Sequence, residues 1–161
     1  MSVTRPLYRA PMTRIVAISL AVAFGLCTTA LPARAHHSHP IFYDQCKTIT
    51  VEGRIERVEW KDPHVQIYLT LDDKTTYRVE WTSLRGLTNA GIASAAQQAL
   101  PFGARVVATG NPPRDGEYVR SKFPELKDYT PDPKAIDLMV IRRADNTWNW
   151  KAQAPPVCVS K

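Results

Sequence analysis

Three histidines stand within four positions of one another, at His36, His37 and His39, and a fourth lies at His64. Imidazole nitrogens are good ligands for copper and zinc, and a histidine at a free N-terminus can bind Cu(II) through its amine and its ring together. Asp62, two residues before His64, can add an oxygen ligand or orient a ring. These five residues therefore form a candidate copper or zinc site.

The first 35 residues have the pattern of a secretion signal. Arginines precede an apolar run over Ile15–Leu31, and the A-x-A sequence at 33–35 offers small residues at the two positions that signal peptidase reads. The run has 17 residues, fewer than the roughly 20 that span a bilayer. We therefore expect translation from Met1 or Met12, cleavage before His36, and a periplasmic protein; an uncleaved membrane anchor is the alternative.

Alternating apolar residues predict three consecutive strands in the middle of the chain. The first, Thr48–Trp60, changes phase after Ile55, which predicts a bulge or a sharp bend. Val65–Leu71 and Tyr77–Trp81 then follow as a hairpin with its turn at 72–74. Three aromatic residues share the apolar phase of these strands and are expected in the core: Trp60, Tyr77 and Trp81.

A helical region separates these strands from two more. Ser83 and Ser94 are placed to cap two short helices, the second of which stops before Pro101. Residues 103–110 and 135–143 return to a strand pattern. The order β-β-β-α-β-β with a bent first strand predicts a mainly β fold, a small OB-like β-barrel.

The remaining segments complete a single domain over residues 36–161. A long loop at 111–134 with five prolines connects the last two barrel strands, and a connection of that length is normally either functional or disordered. Residues 144–161 form a C-terminal tail. Trp148 and Trp150 in this tail either pack on the barrel or mark a contact surface.

Cysteine positions predict one disulfide. Cys27 lies in the proposed signal, so Cys46 and Cys158 remain as an even pair near opposite ends of the domain. In an oxidising compartment this arrangement favours a disulfide that ties the tail to the start of the domain. A two-cysteine metal site is the poorer alternative, because neither cysteine has a partner at C-x-x-C spacing.

Several segments resemble an exported bacterial family, a domain of unknown function (DUF6152). The sequence at 36–38 matches its N-terminal HHS, and Val58–His64 (VEWKDPH) resembles its W-x-N-P-H motif, with aspartate in place of asparagine; Tyr43-Asp44 and Thr50–Gly53 add to the likeness. The resemblance covers residues 36–112 and implies secretion and a small β-barrel. It brings no activity, because the function of that family is not established.

The chain departs from the family pattern at three places. Asp62 stands where the family usually has asparagine, and His39 stands where an aromatic residue is common. The loop at 111–134 is also longer than usual. The two substitutions fall within the candidate metal site.

Charge and motifs disfavour two other classes of function. Four of the 21 basic residues and none of the 15 acidic residues lie in the first 35, so residues 36–161 carry a net charge of only +2. A nearly neutral domain releases few counterions from nucleic acid. Motifs of nucleophilic or metal-dependent hydrolysis, such as G-x-S-x-G and H-E-x-x-H, are missing from the sequence, so we expect binding rather than catalysis.

The sequence therefore predicts an exported, non-catalytic binding protein. Copper or zinc at the histidines is the first hypothesis for its ligand. The alternative is a periplasmic module that binds a protein, glycan or nucleic acid without metal. A protein partner would use the Pro-rich loop and the tail tryptophans.

Overall fold

A computed structural model of the chain describes residues 39–153 and Cys158. The proposed signal sequence, His36 and His37 lie outside these residues. Within the described part the structure has six strands, which are β1 (Ile49–Glu59), β2 (Gln66–Thr70), β3 (Thr76–Glu80), β4 (Arg105–Asn111), β5 (Ala135–Arg143) and β6 (Asn149–Lys151). The helices of the same residues are short: α1 (His39–Phe42), α2 (Leu84–Asn89), α3 (Ala93–Ala99), α4 (Gly116–Lys122) and a 3-10 turn at Pro124–Leu126.

Five of the strands close into a barrel. Their order is β3-β2-β1-β4-β5, and β5 returns to pair with β3. The closing pair is parallel, whereas the other pairs are antiparallel. The prediction of a small, mainly β, OB-like barrel is therefore confirmed. Sequence reasoning missed β6, which pairs with β5 and lies inside the predicted tail.

The bend of β1 allows this one strand to pair with β4 and with β2. Its first half, Ile49–Arg54, pairs with β4, and its second half pairs with β2. The register against β2 shifts between Ile55 and Arg57, where the phase change predicted a bulge. Gly53 precedes the shift, and a Cβ there would lie 2.9 Å from the carbonyl oxygen of Thr70. The close approach of β1 and β2 therefore depends on glycine.

A cluster of four tryptophans fills one end of the core. Trp81 is 1% exposed, and the rings of Trp60, Trp148 and Trp150 pack around it with centroids 5.0–6.3 Å away. Trp81 is in the core as predicted, and Trp60 and Tyr77 are partly buried against it. The tail tryptophans pack on the barrel, which was one of the two alternatives for them.

In the helical region, the predicted cap of the first helix is confirmed and that of the second is not. The hydroxyl of Ser83 accepts the N–H of Gly86 at 2.9 Å, as predicted for the start of α2. The prediction for Ser94 is wrong, because α3 begins at Ala93 and its capping residue, Ile92, makes no side-chain cap bond. Ile92 packs against the core and donates its N–H to Leu87, and this burial sets the start of the helix.

The long loop, whose length predicted a connection that is either functional or disordered, has regular structure. It contains α4 and the 3-10 turn. Asp115 caps α4 by accepting the N–H of Glu117 at 2.8 Å. In the part of the chain that the structure describes, no helix has the length and apolarity to cross a membrane.

The disulfide between Cys46 and Cys158 is formed. The Cα atoms of the two residues lie 4.6 Å apart, within the span of less than about 7 Å that a disulfide requires. The predicted pairing is therefore confirmed, and a disulfide fits a protein of an oxidising compartment.

Gly110 allows β4 to approach β5 at the point where their register shifts. A Cβ at this position would overlap the carbonyl oxygen of Asp137 and lie 2.6 Å from Ile136 Cγ2. We expect Gly110→Ala to lower the free energy of unfolding by about 3 kcal/mol, because backbone atoms cannot rotate away.

Urea unfolding checks this expectation, with Gly91→Ala as the control. Gly91 has a positive φ of 71° and open space around it, so alanine there costs only about 1–2 kcal/mol of backbone strain. Equal losses for the two variants would contradict the close approach of β4 and β5.

Candidate metal centre

Three residues from separate parts of the chain bring ligand atoms together. His39 begins α1, His64 lies in the connection between β1 and β2, and Glu80 ends β3. Their ligand atoms all lie within 4.8 Å of one another. The two imidazole rings meet edge to face with centroids 4.9 Å apart. This group is the candidate metal centre of the described residues.

The long loop fixes the segment that carries His39. Arg114, only 6% exposed, donates its Nε–H to Pro40 at 2.9 Å and its backbone N–H to Phe42 at 2.8 Å. The N–H of Asp44 in turn donates to the carbonyl oxygen of Pro112 at 2.8 Å. The histidine is therefore held against the barrel.

Hydrogen bonds determine which nitrogen of each ring carries the proton. His39 Nδ1 lies 2.7 Å from Asp137 Oδ1, and His64 Nδ1 lies 3.2 Å from the carbonyl oxygen of Trp81. Because an ionised carboxylate and a carbonyl only accept, both Nδ1 atoms must donate. In each neutral ring the lone pair is therefore on Nε2. A donor nitrogen tied to a carboxylate or a carbonyl is the usual arrangement of metal-binding histidines.

Glu80 is oriented by its own partners. Its Oε2 accepts the hydroxyl of Tyr43 at 3.0 Å and a guanidinium N–H of Arg78 at 3.4 Å. Its other oxygen, Oε1, lies on the side of His64, 3.7 Å from Nδ1. Tyr43 and Arg78 thus orient the carboxylate through Oε2, and Oε1 lies near the His64 ring.

Negative charge is concentrated at the centre. Glu80 and Asp137 are register partners across β3 and β5, and their side chains are only 17% and 14% exposed. The hydrogen bond from Asp137 raises the pKa of His39, although burial acts in the opposite direction, and the charges of Asp137 and Glu80 add to the increase. Burial, followed by the charge of Glu80, raises the pKa of the Tyr43 hydroxyl far above its ordinary value. Because two half-buried carboxylates lie here beside a single arginine, Arg78, among the residues described above, the centre favours the binding of a cation.

The donor set suits a transition metal. Two imidazole nitrogens and one carboxylate oxygen are ligands that Zn(II) and Cu(II) accept, and three protein ligands leave a position for a fourth. Ligands at about 2 Å from a tetrahedral ion lie about 3.3 Å from one another. The ligand atoms lie within 4.8 Å of one another, so binding an ion requires them to close by up to about 1.5 Å.

One residue of the site predicted from the sequence, Asp62, does not belong to this group. Asp62 is exposed, and its Oδ1 accepts the backbone N–H of Arg85 at 3.1 Å, at the start of α2. The described cluster consists of His39, His64 and Glu80. His36 and His37 lie outside the described residues.

Sequence reasoning missed Glu80 and Asp137. The alternation of β3 indicates only that Glu80 faces away from Val79 and Trp81. The parallel pairing that places it beside Asp137 joins strands far apart in the chain. A half-buried pair of carboxylates would have indicated the site, but Glu80 and Asp137 come together only when β5 pairs with β3 and closes the barrel.

The barrel and this centre define a small OB-like protein with a candidate site for a transition metal. The sequence profile of the family of unknown function DUF6152 matches residues 23–121, more than half of the chain. The chain therefore belongs to this family, as its two motifs indicated. The matched region contains His39, His64 and Glu80, whereas Asp137 lies beyond it. A comparison with curated proteins finds no match.

The hydrogen bond between Asp137 and His39 can be tested in the metal-free protein. We expect Asp137→Asn to lower the pKa of His39, because the substitution removes the charge and weakens the bond that raise it. NMR titration of the His39 ring measures this change. An unchanged pKa would contradict the pairing.

The raised pKa of His39 also predicts how the effect of Asp137→Asn on stability depends on pH. A raised pKa in the folded state means that the pair stabilises the fold below the unfolded value of about 6.5, and that this contribution disappears as the pH rises through the folded pKa. The difference in unfolding free energy between wild type and Asp137→Asn should therefore be larger at pH 5.5 than at pH 8.5.

Proposed function

We propose that this protein is an exported, periplasmic binding protein that holds Cu(II) or Zn(II) through His39, His64 and Glu80. One observation carries the proposal: ligand atoms of these three residues lie within 4.8 Å of one another. The residues come from three distant parts of the chain, and each has further contacts that orient it.

Preorganisation supports this function. Each histidine already donates through Nδ1, and Glu80 is already held through Oε2. An ion therefore meets side chains that lose little further conformational entropy on binding. The nearby charges of Glu80 and Asp137 offset the positive charge of the ion.

The proposal also includes the N-terminal histidines His36 and His37. We propose that residues 1–35 are a signal peptide that is removed, so that the mature chain starts at His36. The free amine of His36 and the two imidazoles of His36 and His37 would add nitrogen ligands of a kind that Cu(II) accepts. A site of this composition favours Cu(II) over Zn(II), since Cu(II) binds a given set of nitrogen and oxygen ligands more tightly.

Copper titration of the mature chain tests the roles of the cluster residues. We expect His64→Ala to weaken Cu(II) binding by more than about tenfold, because it removes a nitrogen fixed at the edge of the barrel. Glu80→Gln should weaken binding to a similar degree, because it keeps the shape of the side chain and removes the charge. Competition with a chelator of known affinity measures these changes.

Two control variants accompany the titration. Asp62→Asn removes a charge two residues from His64, outside the cluster, and should leave the affinity unchanged within about twofold. The double variant His36→Gln/His37→Gln should weaken binding less than His64→Ala does. Equal affinity with and without the His64 ring would reduce the site to an N-terminal histidine tail and contradict the proposal.

The processing proposal has its own test. Intact mass of the protein recovered from the periplasm after export should correspond to a chain that begins at His36. A mass that retains residues 1–35 would remove the N-terminal histidines from the proposed site. The cluster of His39, His64 and Glu80 would still be open to test in that protein.

A further inference from the structure

A groove of about 610 Å³ lies beside the candidate metal centre. It is bounded by α2, β5 and β6, and residues His39 and Asp137 line it next to the centre. Its volume falls within the range of about 300–1,000 Å³ typical of small-molecule pockets.

Apolar side chains form most of the groove. Leu87 and Leu138 are buried beneath it, and Ile92, Met139 and Trp150 are only half-buried. Trp150 offers an aromatic face, and the thioether of Met139 packs well against rings. These side chains favour a flat, apolar ligand.

The polar residues of the groove specify one end of that ligand. Asp137 uses Oδ1 for His39, and a carboxylate can accept further hydrogen bonds. Thr82 and Gln45 add neutral polar groups. Besides His39, the lining carries one acidic side chain, Asp137, and one basic side chain, Lys151. A mainly apolar lining with a carboxylate acceptor favours an uncharged ligand that donates a hydrogen bond.

A disulfide lies close in sequence to two parts of the groove lining. Gln45 and residues 151–153 all line the groove. Cys46 follows Gln45 directly, and its disulfide partner is Cys158, five residues after Gln153 in the sequence. The disulfide thus restrains the chain next to Gln45, and a preformed lining lowers the entropy cost of binding.

We propose that this groove binds a neutral aromatic molecule that carries a hydroxyl group. The ring packs on Trp150 and Met139, and the hydroxyl donates to the carboxylate of Asp137. The ligand class follows from the apolar lining and from the acceptor near the metal centre.

Binding of 2-naphthol to the ¹⁵N-labelled mature protein tests the proposal. Titration in the presence of EDTA separates it from metal binding, so that failure of one proposal does not affect the other. We expect saturable shifts of the amide signals of Leu138 and Met139 and of the indole N–H signal of Trp150. No saturable shift of these signals up to 1 mM, or shifts confined to another face, would overturn the proposal.

A second compound tests the hydroxyl donor. 2-Methoxynaphthalene keeps the ring and the oxygen and lacks the donor hydrogen. A hydrogen bond to a charged group contributes about 1.5–3 kcal/mol, so this compound should bind at least about tenfold more weakly. Equal affinity would contradict the assigned role of Asp137.

Two tryptophan variants test the location. Ala90 is exposed at the end of α2 and lines the groove, so Ala90→Trp should fill it and weaken 2-naphthol binding by more than about tenfold. Ala95→Trp places the same side chain at an exposed position of α3 outside the lining and should leave binding unchanged. Wild-type affinity in Ala90→Trp, with a folded amide spectrum, would overturn the proposal.

Discussion

Closure of the barrel depends on three parallel residue pairs between β3 and β5, and the candidate metal centre depends on that closure. The pairing places Glu80 directly opposite Asp137. Two half-buried carboxylates at adjacent positions repel each other unless cations or hydrogen-bond donors surround them. The described residues supply such donors from several elements, and these are Tyr43, Arg78 and His39, with the His64 ring nearby. The composition of the site thus follows from the topology of the sheet.

The long loop contributes to the same arrangement. Its first residues hold the segment around α1 through the buried guanidinium of Arg114. The ring of Phe42 at the end of α1 also packs on Tyr129, with centroids 5.4 Å apart. The long loop is therefore used to position His39. The disulfide between Cys46 and Cys158 restrains the chain shortly after α1.

The fold was largely predictable because local patterns carry it. The phase change after Ile55 located the bulge of β1, and Ser83 located the start of α2. Long-range effects were not predictable in the same way. The start of α3 follows the burial of Ile92 rather than the preference of Ser94, and β6 is too short for a period of two to be recognised. At the site, imidazole chemistry identified His39 and His64, whereas Glu80 required knowledge of the strand register.

Anomalous diffraction from crystals of the zinc-loaded mature protein, recorded on both sides of the zinc absorption edge, tests the central claim most directly. Glu80 and the two histidines should surround one strong peak, with nitrogen and oxygen atoms at about 2.0–2.2 Å from the ion. The Nδ1 atoms of both rings should still point to Asp137 and to the carbonyl oxygen of Trp81. A peak bound by other residues, or no peak near His39 and His64 at full zinc loading, would contradict the account.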